Sequence, residues 1–349
     1  MVSAQRNRDI AIDIVRTVAI IIMIGANLGS LLPTPHDWWF RGYSSLAAPI
    51  FVALAGMMVA FSFAKPNNEA NLYYFIKRGA FLILCGALVD MVIYGGAPFI
   101  SMDVLYLIGL GLPLSYLAAA QSIRMNICIA ILILLATVVL QYLIGYEPQP
   151  LHIKLSQISE ISTATLPRIW RMWLIDGWFP VFPWLGYLIF GVILGQLRFA
   201  SGGEESFISA KFILGSGLFL VMGSILMTLF PNIHFERVGY AELFYPPTLG
   251  FIILSFGVVV LAIALADLTS HHGFWHKLMP LGQASLFVYL THLALIELIE
   301  EVAATVNLLP FLLIYVAMTT GLLWCAMLLS KVKRRTKSMP LPLRWLLGA

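Results

Sequence analysis

Charge is what this chain has least of. Aspartate, glutamate, lysine and arginine supply only 11% of its 349 residues, against about 25% in an average soluble domain. That scarcity excludes a soluble globular protein. Cysteine is nearly absent as well: Cys85, Cys128 and Cys325 are scattered among apolar runs, too few for a disulfide framework or a zinc site. His272 and His276 fall one turn apart if helical, but a third ligand is missing, so no metal is expected. The basic residues form no long tract, which argues against a nucleic-acid partner. Low-complexity tracts, short repeats and interdomain linkers are lacking too.

What remains is apolar. Hydrophobic residues make up 60% of the chain, in runs near the 20 or so residues that a helix needs to cross a bilayer. The reading is an all-α integral membrane protein with about ten transmembrane helices, residues 1–349 forming a single polytopic domain. Spans are expected near 11–32, 46–64, 75–95, 100–120, 125–145, 178–198, 211–230, 247–268, 280–301 and 309–330. The basic start "MVSAQRNRD" precedes a run too long for a signal peptide's apolar region, so that run is read as the first span. Of the 21 lysines and arginines, fifteen then fall on the side of the N-terminus and five on the other, with Arg16 inside the first span. Because cytoplasmic loops retain basic residues, both termini are expected in the cytoplasm. Residues 146–177 form the one long outer connection, and the tryptophans of "LPRIWRMWLIDGWF" suit an interfacial or re-entrant segment.

Polar groups within the oil carry the chemical information, since each costs free energy unless it finds a partner. Asp13 and Arg16 lie three apart on the first span and read as a structural ion pair or part of a site. Asn27, in the outer half of that span, is either helix–helix glue or a functional amide. His36 follows just outside. His292 falls near mid-membrane in "PLGQASLFVYLTHLALIELIEE", as a core histidine or part of a polar cavity. In "WFPVFPWLGYLIFGVILG", two prolines precede Gly186, Gly191 and Gly195, a spacing that permits close helix approach.

Taken in order, these stretches resemble the heparan-α-glucosaminide N-acetyltransferase family and its bacterial relatives among transmembrane acyltransferases. "DIAIDIVRTVAIIIMIGANLG" is similar to that family's first helix, and "HDWWFRGYSSLAAPIFVALAGMMVAFSF" to its histidine-led loop and second helix. "DVLYLIGLG", "FPVFPWLGYLIFGVILGQL" and "LGQASLFVYLTHLALI" match further landmarks. The family's catalytic asparagine and histidine fall on Asn27 and His36. Two departures stand out: Thr17 replaces a glycine after the arginine, and Ser44 or Ser45 replaces an aspartate entering the second helix.

The resemblance implies transfer of an acetyl or other acyl group from acetyl-CoA (acyl-CoA) to an amine or hydroxyl of a sugar or glycan at the outer face. His36 would serve as general base or acyl carrier and Asn27 would stabilise the oxyanion. Arg8, Arg16, Lys77 and Arg78 are the candidates for the coenzyme A phosphates, with Asp13 and His292 in support. The implied setting is a bacterial plasma (inner) membrane, with a homodimer allowed. A secondary transporter with five-plus-five inverted repeats is the rival reading, because the first and sixth spans look interrupted by glycine or proline.

Overall fold

A cap starts the chain's first helix. In the computed structural model, which describes residues 9–64, 71–145, 147, 151–163, 165–199, 205–230, 240–302, 305–335 and 340–347, the Asp9 carboxylate accepts a hydrogen bond from Ile12 N at 3.2 Å and opens α1 (Ile10–Asn27). A 3₁₀ turn over Leu28–Leu31 continues it. Then come α2 (Trp38–Ser44), α3 (Ala47–Ala64), α4 (Leu72–Leu88), α5 (Val104–Ala119), α6 (Ile123–Ile144), α7 (Leu166–Arg171), α8 (Val181–Phe199), α9 (Ala210–Leu229) and α10 (Leu249–Thr269). The chain finishes with α11 (Gly273–Gln283), α12 (Ser285–Glu300), α13 (Leu308–Arg335) and α14 (Leu341–Leu346). Among the described residues, the only β structure is two isolated bridges.

Helices occupy each of the ten expected segments. Among the described residues, seven helical runs are long and apolar enough to cross a membrane, and an eighth counts if the α11–α12 pair is one span. α4 and α5 are shorter, at 17 and 16 residues. The chain is a multi-pass membrane protein.

Burial divides the helices into two groups. α1, α3, α8 and α10 bury most of their surface in the protein, whereas α6, α9 and α13 bury little of theirs and present leucines such as Leu132, Leu214 and Leu313 outward. An apolar surface left outside the packed core is what lipid tails solvate. Small residues bring the inner helices together. Gly191 of α8 lies on the Ala53 carbonyl of α3, and Gly56 of α3 lies on the Leu188 carbonyl of α8. A Cβ at either glycine would overlap backbone, so the glycine spacing read in the sequence is a contact face.

Three breaks shape the interior. α1 gives way to the 3₁₀ turn directly after Asn27. Near the start of α8, Phe182 is extended (φ −100°, ψ 117°), as expected of a residue preceding proline. α11 and α12 meet at Ala284 with a bend of 71°. One polar knot ties three helices at a common end. Arg198 of α8, only 3% exposed, pairs with Asp9 before α1 and with Asp267 of α10, the latter at 2.7 and 2.9 Å. Removing one partner from such a buried arrangement leaves an uncompensated charge and costs about 3–5 kcal/mol.

Candidate functional site

A cavity of about 710 Å³ runs along α1. Near the start of that helix its wall includes Asp13, Arg16, Arg78 and Gln283; farther along come Met23, Ala26 and Asn27; beyond them lie Asp90, Asp103, His152 and Glu242. Arg16 and Asn27 are eleven residues apart, about 16 Å along the helix axis. The space therefore reaches from the knotted end of the bundle to the end where α1 breaks.

At the first end, Arg16 donates to Asp13 at 3.2 Å, and Gln283 donates to the other oxygen of Asp13 at 3.1 Å. The bend after α11 is what turns Gln283 and Ser285 to the wall. Arg78, half-buried on α4, faces the same space. Lys77, its neighbour, does not line the cavity; its ammonium lies 4.1 Å from the centre of the exposed Tyr73 ring. Arg8 lies outside the described residues. Thr17 is fully buried, donates to the Asp13 carbonyl at 2.8 Å and packs on Gly282 of α11. The small residue demanded at that crossing thus comes from α11, and the threonine finds its hydrogen bond within α1.

In the middle stands Asn27, the last residue of α1. Its side-chain amide meets His292 Nε2 at 2.8 Å, and His292 Nδ1 meets the Val288 carbonyl at 3.0 Å. The two bonds are compatible in one neutral tautomer, with Nδ1–H donating to the carbonyl and Nε2 accepting from Asn27. His292 is completely buried, so this pairing fixes the amide against the cavity wall and leaves the Asn27 carbonyl and second N–H for other partners. His36 is half-buried and is not part of the wall. Its ring lies 5.5 Å from that of Phe40, and Phe40 packs on Gly29, two residues beyond Asn27. The structure thus joins Asn27 to His292 directly and holds His36 on the same corner of the fold, behind Phe40.

The far end is acidic. Tyr106 donates to Asp90 at 2.5 Å, and Tyr289 donates to Asp103 at 3.2 Å. Tyr289 is one turn before His292, their rings 5.5 Å apart, so the acidic end adjoins the Asn27–His292 pair. Glu242, in the connection between α9 and α10, is 8% exposed; its Oε2 has no hydrogen-bond partner among the described residues. Burial pushes its carboxyl up to about 7, against the opposing pull of two backbone amides and the Arg41 guanidinium. Ser44 lines the cavity, while Ser45 accepts from Leu243 N at 2.7 Å and donates to the Arg41 carbonyl at 2.6 Å. Of the two serines that stand where an aspartate was expected, Ser45 therefore holds the stretch of chain that carries Glu242.

Sequence reading passed over Asp90, Asp103, Tyr289, Glu242 and Gln283. Asp90 carried a usable signal, a carboxylate inside an apolar run. Glu242 carried none, since an acid in an ordinary connection reads as solvated. Among the described residues, no group of three histidines, cysteines or carboxylates could hold a metal ion.

Compared with known proteins, residues 8–230 match the family described as "Heparan-alpha-glucosaminide N-acetyltransferase, catalytic". No curated protein matches the chain. The matched stretch holds Asn27, His36, Asp90 and Asp103, and ends before Glu242, Gln283 and His292.

Proposed function

The chain belongs to the heparan-α-glucosaminide N-acetyltransferase catalytic family, and from that premise we propose that it moves an acetyl group from cytosolic acyl-CoA to the amine or hydroxyl of a sugar acceptor at the outer face of a bacterial plasma membrane. In this reading ten segments cross the bilayer and both termini are cytoplasmic, as the distribution of lysine and arginine favours. The observation that carries it is the cavity that joins Arg16 and Arg78 at one end to Asn27 and then to Asp103 and Glu242 at the other. A thin pantetheine arm fits such a passage, with the coenzyme A phosphates held by the arginines.

The chemistry follows from what each group can do. A sugar amine attacks the thioester carbonyl only from its neutral form, so a base must take its proton; we assign that role to His36, which would have to turn from behind Phe40 toward Asn27 to act, with an acyl-histidine at the same residue as the two-step variant. Attack puts negative charge on the carbonyl oxygen, and the Asn27 amide donates to it. One such donor is worth about 3 kcal/mol. His292 positions Asn27 through the 2.8 Å contact, which keeps the amide from turning away as charge develops. Collapse of the tetrahedral species expels the coenzyme A thiolate, which takes up a proton. Dispersed basic residues on the cytoplasmic side would hold the nucleotide and leave only the acyl group to reach Asn27.

The test is to incubate the purified protein with acetyl-CoA and glucosamine and to follow free thiol. Thiol release that depends on the acceptor supports the enzyme. Solute counterflow in vesicles without thiol release overturns it in favour of a transporter.

A further inference from the structure

At the arginine end of the cavity, one wall comes from a part of the chain far from the family match. Trp345, on the short α14 that follows α13, is 7% exposed and lines the cavity beside Tyr74 and Arg78 of α4. Its ring centre lies 5.9 Å from that of Tyr74, edge-on, and 5.6 Å from that of Phe81. Two aromatic rings thus brace the indole while it keeps contact with the open space. A tryptophan that merely anchored the chain at the membrane surface would sit at the headgroup level with its indole in the interface; this one is buried in the protein and lines the cavity that holds the arginines.

An indole supported by aromatic neighbours, next to a guanidinium, matches the two halves of an adenine nucleotide. Planar bases stack on aromatic side chains, and phosphates take arginine. We infer that Trp345 is the stacking platform for the adenine ring of the donor, with α14 forming the outer wall of the nucleotide site and Arg78 facing the phosphates. This rests on the acyl-CoA reading above and adds a residue outside the stretch 8–230 that defines the family match. It also gives α14 a purpose: the helix closes the arginine end of the cavity on the ligand's base rather than on the reacting carbon.

The experiment compares two donors on the full-length protein. Acetyl-CoA carries the nucleotide; S-acetylpantetheine carries the same thioester and arm without it. Trp345→Leu keeps an apolar side chain but removes the ring, and Trp345→Phe keeps a smaller platform. For Trp345→Leu, KM for acetyl-CoA should rise about tenfold, within the range for a base that loses its aromatic partner. KM for S-acetylpantetheine and kcat for both donors should stay unchanged. Trp345→Phe should recover most of the loss. Binding of 3′-phosphoadenosine 5′-diphosphate, followed by calorimetry, should weaken in the leucine variant by the same factor. If the unaltered protein transfers acetyl from both donors but Trp345→Leu shifts their KM values equally, or shifts neither, the stacking role is overturned and the acyltransferase stands. If the unaltered protein transfers from neither donor, the acyltransferase reading falls and the stacking role with it.

Discussion

At one end of the cavity, Arg16 and Arg78 face the space, with Asp13 and Gln283 fixing the first of them; at the other, Asp90, Asp103 and Glu242 line it, with the Arg41 guanidinium acting on Glu242 from outside the lining. Both ends are walled largely by apolar helices. In the proposed reading, the guanidiniums of the first end suit the phosphates of the donor. A neutral or cationic acceptor is favoured at the second. Asn27 stands between the two, at the break of α1. In the proposed reading, the two ends differ in the polar groups they offer, and that difference would separate the two substrates before the reacting atoms meet.

The largest effects are expected where the two ends meet. His36→Ala should lower turnover by about two to four orders of magnitude while leaving coenzyme A binding intact, the scale for loss of a positioned base. The wild-type rate should rise with pH through the histidine range, and the variant should lose that limb. Asn27→Ala should lower kcat about a hundredfold with little change in KM for the donor, because the amide acts mainly in the transition state. Removing both residues should cost less than the product of the single losses. Near wild-type transfer by His36→Ala would move the base to the cavity wall, and with it the meaning of the acidic end.

A smaller effect separates the ends directly. Arg78→Gln should raise KM for acetyl-CoA by about tenfold, the range for loss of a charge-assisted hydrogen bond, with kcat unchanged. KM for the acceptor should not move. Equal changes in both would mean that the two substrates share one vestibule.

The architecture was largely legible in the sequence because its signal is length and oil. All ten expected segments are helical, and the glycines at 191 and 56 meet α3 and α8 backbone as small residues in membrane helices do. The candidate site was legible only in so far as polar residues that interrupt apolar runs line the cavity, as Asn27 and Asp13 do, or pair with a lining residue, as His292 does with Asn27. What joined them was not. The 2.8 Å pairing of Asn27 with His292 spans 265 positions, and no periodicity links residues so distant. Nor could the sequence show that Lys77 turns out to Tyr73 while Arg78, one residue on, turns in. Successive helical residues point about 100° apart, and the choice between them is made by the neighbours of α4. The bend at Ala284, which delivers Gln283 to Asp13, depends likewise on packing.

The smallest expected effect tests the acidic end by itself. Glu242 holds its proton up to about pH 7 in the folded chain, whereas an exposed glutamate gives it up near 4.5. The folded state therefore binds that proton more tightly than the unfolded state between those values. Its contribution to stability is complete below about pH 4.5 and is lost as pH rises through 7. Ionisation there would place a charge in a buried position, with the Arg41 guanidinium as the nearby compensation. The thermal midpoint of the purified protein in detergent should thus fall between pH 5 and pH 8. Glu242→Gln keeps the shape and the hydrogen-bonding capacity but cannot ionise, so its midpoint should fall less over the same range, by on the order of a few degrees. Donor KM should be the same in both proteins at every pH, because the arginine end is untouched. If Glu242→Gln alters donor KM as strongly as Arg78→Gln does, the two vestibules are electrostatically one, and the sorting argument is lost.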